Sequence, residues 1–154
     1  MSAGKREIER KFLVTGDGWR KKASAPSHIV QGYLARGRRA TVRVRIKDGK
    51  SATLTIKSRE RGISRAEFEY RVALKDAKAL LVLCGRSQIE KQRYTVSHGK
   101  LTWEIDVFAG AHDGMVLAEI ELPQADTPVS LPSWIGAEVT SDPHYRNSSL
   151  ASEE

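Results

Sequence analysis

The sequence predicts an α+β, mainly β fold: an eight-stranded antiparallel β-barrel closed into a tunnel, with a few short helices outside and a C-terminal closing helix. Three observations lead there. Eight segments alternate apolar and polar residues with a period of two, the mark of a strand with one apolar face. Their connections are mostly short and carry hairpin signals. Few stretches have helical composition, and closure removes the unpaired edges an open sheet would expose.

The elements follow in order. A first strand covers Lys5–Val14, and Asp17–Ala23 suits a short helix. A second strand, Ile29–Ala35, turns at Ala35-Arg36-Gly37-Arg38-Arg39 into a third, Ala40–Lys47. Asp48-Gly49 is a strong hairpin pair, which leads to a fourth strand at Ser51–Lys57. Ser64–Ala73 is a fifth. A helix over Ala77–Cys84 has Asp76 as its cap and Gly85 as its stop. Ile89–Ser97 and Lys100–Phe108 form a hairpin about His98-Gly99, and Met115–Leu122, closed by Pro123, is the eighth strand. After a Pro-rich connection, Asp142-Pro143 opens a short helix that runs to Leu150. Met1–Gly4 and Ala151–Glu154 read as frayed ends, and residues 1–154 as a single domain.

Composition narrows the function. With 40% hydrophobic and 29% charged residues the chain is globular rather than disordered. Its longest apolar run, Ala79–Cys84, is too short to span a bilayer. The single cysteine, Cys84, excludes an internal disulfide and a Cys-cluster zinc site, and no apolar leader follows the first basic residues. A cytoplasmic protein is expected. The net charge of +7 admits nucleic acid, an anionic membrane surface or a small polyanion as partner.

The arrangement of charges decides between these. Because successive strand side chains point to opposite faces, Glu7, Glu9 and Lys11 share a face on the first strand, and Arg43 and Arg45 on the third. The fourth gives Thr53, Thr55 and Lys57, and the fifth Glu67, Glu69 and Arg71. The sixth gives Lys91 and Arg93, the seventh Glu104 and Asp106, and the eighth Glu119 and Glu121. A merely soluble face would intersperse signs within a strand, whereas here they are largely sorted strand by strand. Like charges about 6.6 Å apart repel, so sorted strands suit a ligand of both signs, a metal ion with a polyanion. Paired carboxylates offer hard oxygen ligands for Mg²⁺ or Mn²⁺, and Arg and Lys offer donors to phosphate oxygens. A barrel of this size holds one small ligand and excludes a duplex. The aromatic strand residues fall on the apolar face, where they cannot stack bases, so no nucleic-acid partner is expected. The apolar face would pack against helices or a second subunit.

Glu7-Ile8-Glu9-Arg10-Lys11 reads as an ExExK signature. It is followed in order by Arg43-x-Arg45, Lys57, Glu67-x-Glu69, Lys91-x-Arg93, Asp106 and Glu119-x-Glu121. In that order the pattern resembles the CYTH domain, the triphosphate tunnel metalloenzymes. The likeness runs over nearly the whole chain, including Gln31-Gly32-Tyr33-Leu34 and the late Asp142-Pro143-His144-Tyr145-Arg146-Asn147.

The resemblance implies a tunnel that binds a triphosphate with divalent metal. It implies Glu7, Glu9, Glu119 and Glu121 as metal ligands for Mg²⁺ or Mn²⁺. Lys11, Arg43, Arg45, Lys57, Lys91, Arg93 and Arg146 are implied at the phosphates, and Glu67, Glu69 and Asp106 as further tunnel acids. The bacterial members most like this chain are similar to inorganic triphosphatases, and members of this size are often homodimers. Cleavage of inorganic triphosphate to pyrophosphate and phosphate is therefore expected, with Lys91 as electrophile at the leaving bridge oxygen. A cyclase, a nucleoside or thiamine triphosphatase, and a non-catalytic polyphosphate binder are the alternatives. Glu119→Gln is expected to lower activity by orders of magnitude while the melting temperature holds or rises, through relief of like-charge repulsion.

Overall fold

The computed structural model describes residues 4–59 and 62–151; the ends expected to fray at 1–3 and 152–154 lie outside the described residues. Eight strands close the barrel: β1 (Lys5–Val14), β2 (Ser27–Arg36), β3 (Ala40–Lys47), β4 (Ser51–Ser58), β5 (Ser64–Val72), β6 (Gln88–His98), β7 (Leu101–Phe108) and β8 (Val116–Glu121). The order is β5-β4-β3-β2-β6-β7-β8-β1, and β1 also pairs with β5 to complete the circle. Every pairing is antiparallel. Asp48 and Gly49 both take left-handed φ, 55° and 63°, as their hairpin requires.

Four local expectations change. A ninth strand, β9 (Ile135–Glu138), lies against β1 across a register shift between Phe12 and Val14. The helix α1 (Leu74–Cys84) starts earlier than its composition suggested: Ala73 is the N-cap, and Asp76 sits in the first turn without capping. At the C-terminus the helix is split. Asp142 caps a single 3-10 turn, Pro143–Tyr145, by accepting from the His144 amide. Arg146 is extended, and α2 (Asn147–Leu150) follows. Ala151, expected to fray, is buried.

The apolar strand faces point outward and are covered there. Phe12, Val96, Trp103, Ile105, Ala118 and Ile120 form one core under Trp19 of the turn Gly18–Lys22 and Trp134 of the late connection. On the other side α1 packs over β2, β3 and β4 through Ala77, Leu80, Leu81 and Cys84. Gly32 of β2 makes that approach possible. A Cβ there would lie 2.7 Å from Cys84 Sγ and 2.8 Å from Cys84 Cβ. Gly32→Ala should therefore lower stability by about 1–3 kcal/mol, the usual cost of overpacking, in urea unfolding; an unchanged midpoint would mean that α1 lifts freely.

The inward faces are not charged throughout. Toward the end where β2 finishes they turn apolar, with Tyr33, Ile89, Phe108 and Leu117 packed against Tyr145, Leu150 and Ala151. The C-terminal segment thus stoppers part of that end. Lys11 Nζ donates to the Tyr145 carbonyl at 2.7 Å, and His112 Nε2 lies 2.6 Å from the Leu150 carbonyl oxygen. His112 thereby tethers the C-terminal segment.

Candidate functional site

Within the barrel is a cavity of about 210 Å³. Strand alternation sends Glu7, Glu9 and Lys11 into it from β1, and Arg43 and Arg45 from β3. Lys57 enters from β4, and Glu67 and Glu69 from β5. Arg93, Glu104, Glu119 and Glu121 complete the ring from β6, β7 and β8, with Arg146 reaching in from the C-terminal segment. At this volume, below the ~300–1,000 Å³ of drug-sized sites, the lumen suits a small ion rather than a base-stacking ligand.

Two expected residues sit elsewhere. Lys91 is fully buried and does not line the cavity: its Nζ donates to Asp106 Oδ2 at 2.7 Å and to Asn147 Oδ1 at 3.0 Å. Asp106, 1% exposed, is buried beside it without lining the cavity and accepts two further bonds from Arg93. Register explains both positions. Lys91 pairs across β6–β7 with Phe108, and Arg93 with Asp106, so the ladder places Lys91 at the stoppered, apolar end. Arg71 shares the inward period of β5 but is exposed at its end.

The sequence reading also passed over several lining residues. Arg65 precedes Glu67 on the same face of β5 and approaches Glu7 at 3.6 Å; reading the alternation two residues earlier finds it. Thr41 follows from the same rule on β3. Thr140, Asn147 and Ser148 lie in the C-terminal segment, where no strand period signals direction. Gln31, wholly buried, accepts from Arg45 Nε at 2.8 Å and so aims that guanidinium.

The lumen crowds like charges together beside its ion pairs. Burial, then the neighbouring Arg43 and Arg93 charges, push the Arg45 guanidinium down to about 9. Burial, then the charges of Glu119 and Glu7, push the Glu9 carboxyl up to about 8. Glu119 behaves in the opposite sense: burial alone would raise it, but Lys11, Arg93 and Lys91 hold it well below the carboxylate range, with Glu9 donating to it. Glu7 has the same balance. Lys57, at 2.7 Å, and Arg65 outweigh its burial and bring it to about 2.

Unsatisfied atoms divide by sign. Arg43 Nε and Gln31 Nε2 are buried donors without an acceptor, and Glu119 Oε1 is a buried acceptor without a hydrogen-bond donor. The donors call for an anion and the acceptor for a cation. That donor set fits a divalent metal. Glu119 Oε1 has no hydrogen-bond donor, its ion pair to Lys11 being 3.6 Å long, Glu9 stands next to it and opposite Glu121 across β1–β8, and all are hard oxygen donors. Glu7 is committed to Lys57 and Arg65, and among the described residues no three acidic, His or Cys side chains already converge as a cage.

Comparison with known proteins agrees with this geometry. The model of one family, the CYTH domain, matches residues 5–152. An inorganic triphosphatase of Acetivibrio thermocellus is 43% identical over 146 residues, covering 94% of this chain and 92% of that protein. An inorganic triphosphatase of Nitrosomonas europaea is 35% identical over 150 residues, covering 94% of this chain and 96% of the other. The crystal structure of an inorganic triphosphatase superposes with a TM-score of 0.69 at 31% identity, over 96% of this chain and 99% of that one.

Proposed function

The chain belongs to the CYTH family, and from that premise we propose that it hydrolyses inorganic triphosphate to pyrophosphate and orthophosphate inside its lumen. The observation that carries the reading is the opposition of two strained clusters. Burial and the Arg43 and Arg93 charges weaken Arg45 as a cation, and burial with the charges of Glu119 and Glu7 holds back the ionisation of Glu9. A polyanion bound with a metal ion relieves both at once.

The guanidinium groups of Arg43, Arg45 and Arg93, with Lys11 and Lys57, neutralise the phosphate oxygens and hold the chain straight along the barrel. Arg146 closes over it from the C-terminal segment. Family membership implies a divalent metal; we assign Mg²⁺ or Mn²⁺ to Glu9 and Glu119, with Glu121 beside them. Glu7 holds Lys57 and Arg65 in place and is free to join that set when Lys57 turns to phosphate. Such an ion polarises phosphoryl oxygens and lowers the pKa of bound water. Water oxygen bonds to the terminal phosphorus, the bridging P–O bond breaks, and the negative charge that builds on pyrophosphate is met by the fixed cations. Lys91 is fully buried at the stoppered end and does not line the cavity, so we assign that task to the lumen guanidinium groups. Glu67, Glu69 and Asp106 keep the cations in register.

The test is product analysis. Purified protein with Mg²⁺ or Mn²⁺ is given triphosphate, ATP, thiamine triphosphate and pyrophosphate in turn. Rapid phosphate release from triphosphate alone supports the reading; cyclic AMP with pyrophosphate from ATP overturns it. Arg43→Ala should weaken triphosphate binding about tenfold by calorimetry, as expected for one charge-assisted contact. An unchanged affinity removes Arg43 from the substrate site. The reading also takes the protein to be cytoplasmic and homodimeric, with Val82 and Leu83 of α1, 77% and 74% exposed, in the pairing face; sedimentation velocity tests the pairing.

A further inference from the structure

The two ends of the barrel differ in how their charges are arranged. At the end where β2 and β4 finish and β3 and β5 begin, a groove of about 530 Å³ lies against the lumen. Arg38, Lys57, Arg59, Arg65 and Arg146 line it with three hydroxyl side chains, and no carboxylate joins them among the described residues. Lys57, Arg65 and Arg146 also line the lumen, so groove and cavity form one continuous passage. Arg38 and Arg59, from the β2–β3 turn and the end of β4, lie outside the ring described above. Both are exposed, and neither side chain has a hydrogen-bond or ion-pair partner among the described residues.

The opposite end looks different. β8 finishes there with Glu121, whose side chain is 57% exposed, and Glu104 of the neighbouring β7 is 41% exposed. There Lys5 lies 3.4 Å from Glu121 and Arg93 lies 3.3 Å from Glu104, so the two signs are paired, whereas among the described residues the groove at the other end is lined by cations and hydroxyl groups without a carboxylate. An α2-side stopper narrows the basic end without sealing it, since Arg146 and Ser148 line both spaces.

We infer that this groove is a second anion site, a portal that captures linear phosphate anions and admits triphosphate to the lumen lengthwise, with Arg38 and Arg59 as its capturing residues. The inference rests on the triphosphatase reading for the identity of the anion. Its physical basis is independent: a one-signed recess beside a low-dielectric wall concentrates ions of opposite sign and speeds their arrival. The hydroxyl groups and guanidinium forks match phosphate oxygens, and among the described residues no aromatic ring lines the groove to hold a base.

The test compares wild type with Arg38→Ala/Arg59→Ala and with Lys47→Ala/Lys50→Ala, which removes the same charge from the exposed hairpin at the other end of β3. The association rate of triphosphate with metal-free protein is taken from NMR line shapes. Turnover is measured across a range of ionic strength. The portal variant should associate about tenfold more slowly at low salt, with a flatter salt dependence and an unchanged kcat. The hairpin variant should match wild type. Association at the wild-type rate in the portal variant, or an equal loss in the hairpin variant, overturns the portal. Failure of wild type to hydrolyse triphosphate overturns the proposed activity instead, and the association measurement still reads the groove.

Discussion

Glu9→Gln is expected to lower triphosphate hydrolysis by about two to three orders of magnitude, the scale of losing one preorganised electrostatic contact, while the metal-free protein melts at the same temperature or higher. The stability half of this result comes from the lumen, where Glu9 is pushed up to about 8 by burial and by Glu119 and Glu7. Near neutral pH the carboxyl is already mostly uncharged, so an amide of the same shape costs the fold little. The sequence suggested that such relief would come from Glu119→Gln. The structure places it at Glu9, because Glu119 is held ionised by Lys11, Arg93 and Lys91.

The pH dependence has a definite sign. From the ordinary carboxylate value up to about 8, folded Glu9 keeps a proton that the unfolded chain has released. Its contribution to stability is therefore fully present at low pH and is lost as pH rises through that window. In thermal melts with a chelator, the difference between wild type and Glu9→Gln should grow in the variant's favour from pH 5 to about 8. A variant that melts well below wild type at pH 7, losing activity only by unfolding, would sink the metal-ligand role.

Asp106→Asn should cost about 3–5 kcal/mol of stability, the penalty for leaving a buried charge without its partner. Asp106 is 1% exposed and joins Lys91, which is fully buried, to Arg93 through contacts of 2.7 to 2.9 Å. Removal of its charge strands the Lys91 ammonium, whose remaining partner is the Asn147 side-chain oxygen. Arg93 suffers less, because Glu104 lies 3.3 Å away. Lys91→Met should be milder, since Asp106 keeps its two bonds to Arg93, and combining it with Asp106→Asn should restore part of the loss. Urea unfolding of the two single variants and the double variant measures this coupling. A loss under about 1 kcal/mol for Asp106→Asn would mean that Lys91 is neutral in the fold.

Much of the fold could be read in advance because strand side chains repeat every two residues, and that period is visible without knowing what pairs with what. Glu7, Arg43, Lys57, Glu119 and their neighbours face one lumen for this reason alone. Depth along the lumen is different, since it depends on which residues stand opposite across strands distant in sequence. The Lys91–Phe108 and Tyr33–Arg43 pairings decide that Lys91 is buried at the stoppered end while Tyr33 meets the cavity. β9 escaped notice because four residues containing Gly136, paired across a register shift, carry no alternation. α1 starts at Leu74 because Ala73, with its extended backbone, sets the boundary, and no polar capping side chain marks it.

β1 is synthesised first yet is completed last. Its early residues pair with β5, and Glu9 through Leu13 pair with β8, more than a hundred positions downstream. A nascent chain therefore carries the ExExK segment with one flank unpaired until β8 has emerged, and such distant pairings make for slow, high-contact-order folding. In refolding experiments, recovery of turnover should coincide with the slowest kinetic phase, when the two halves of the acidic cluster first share a wall.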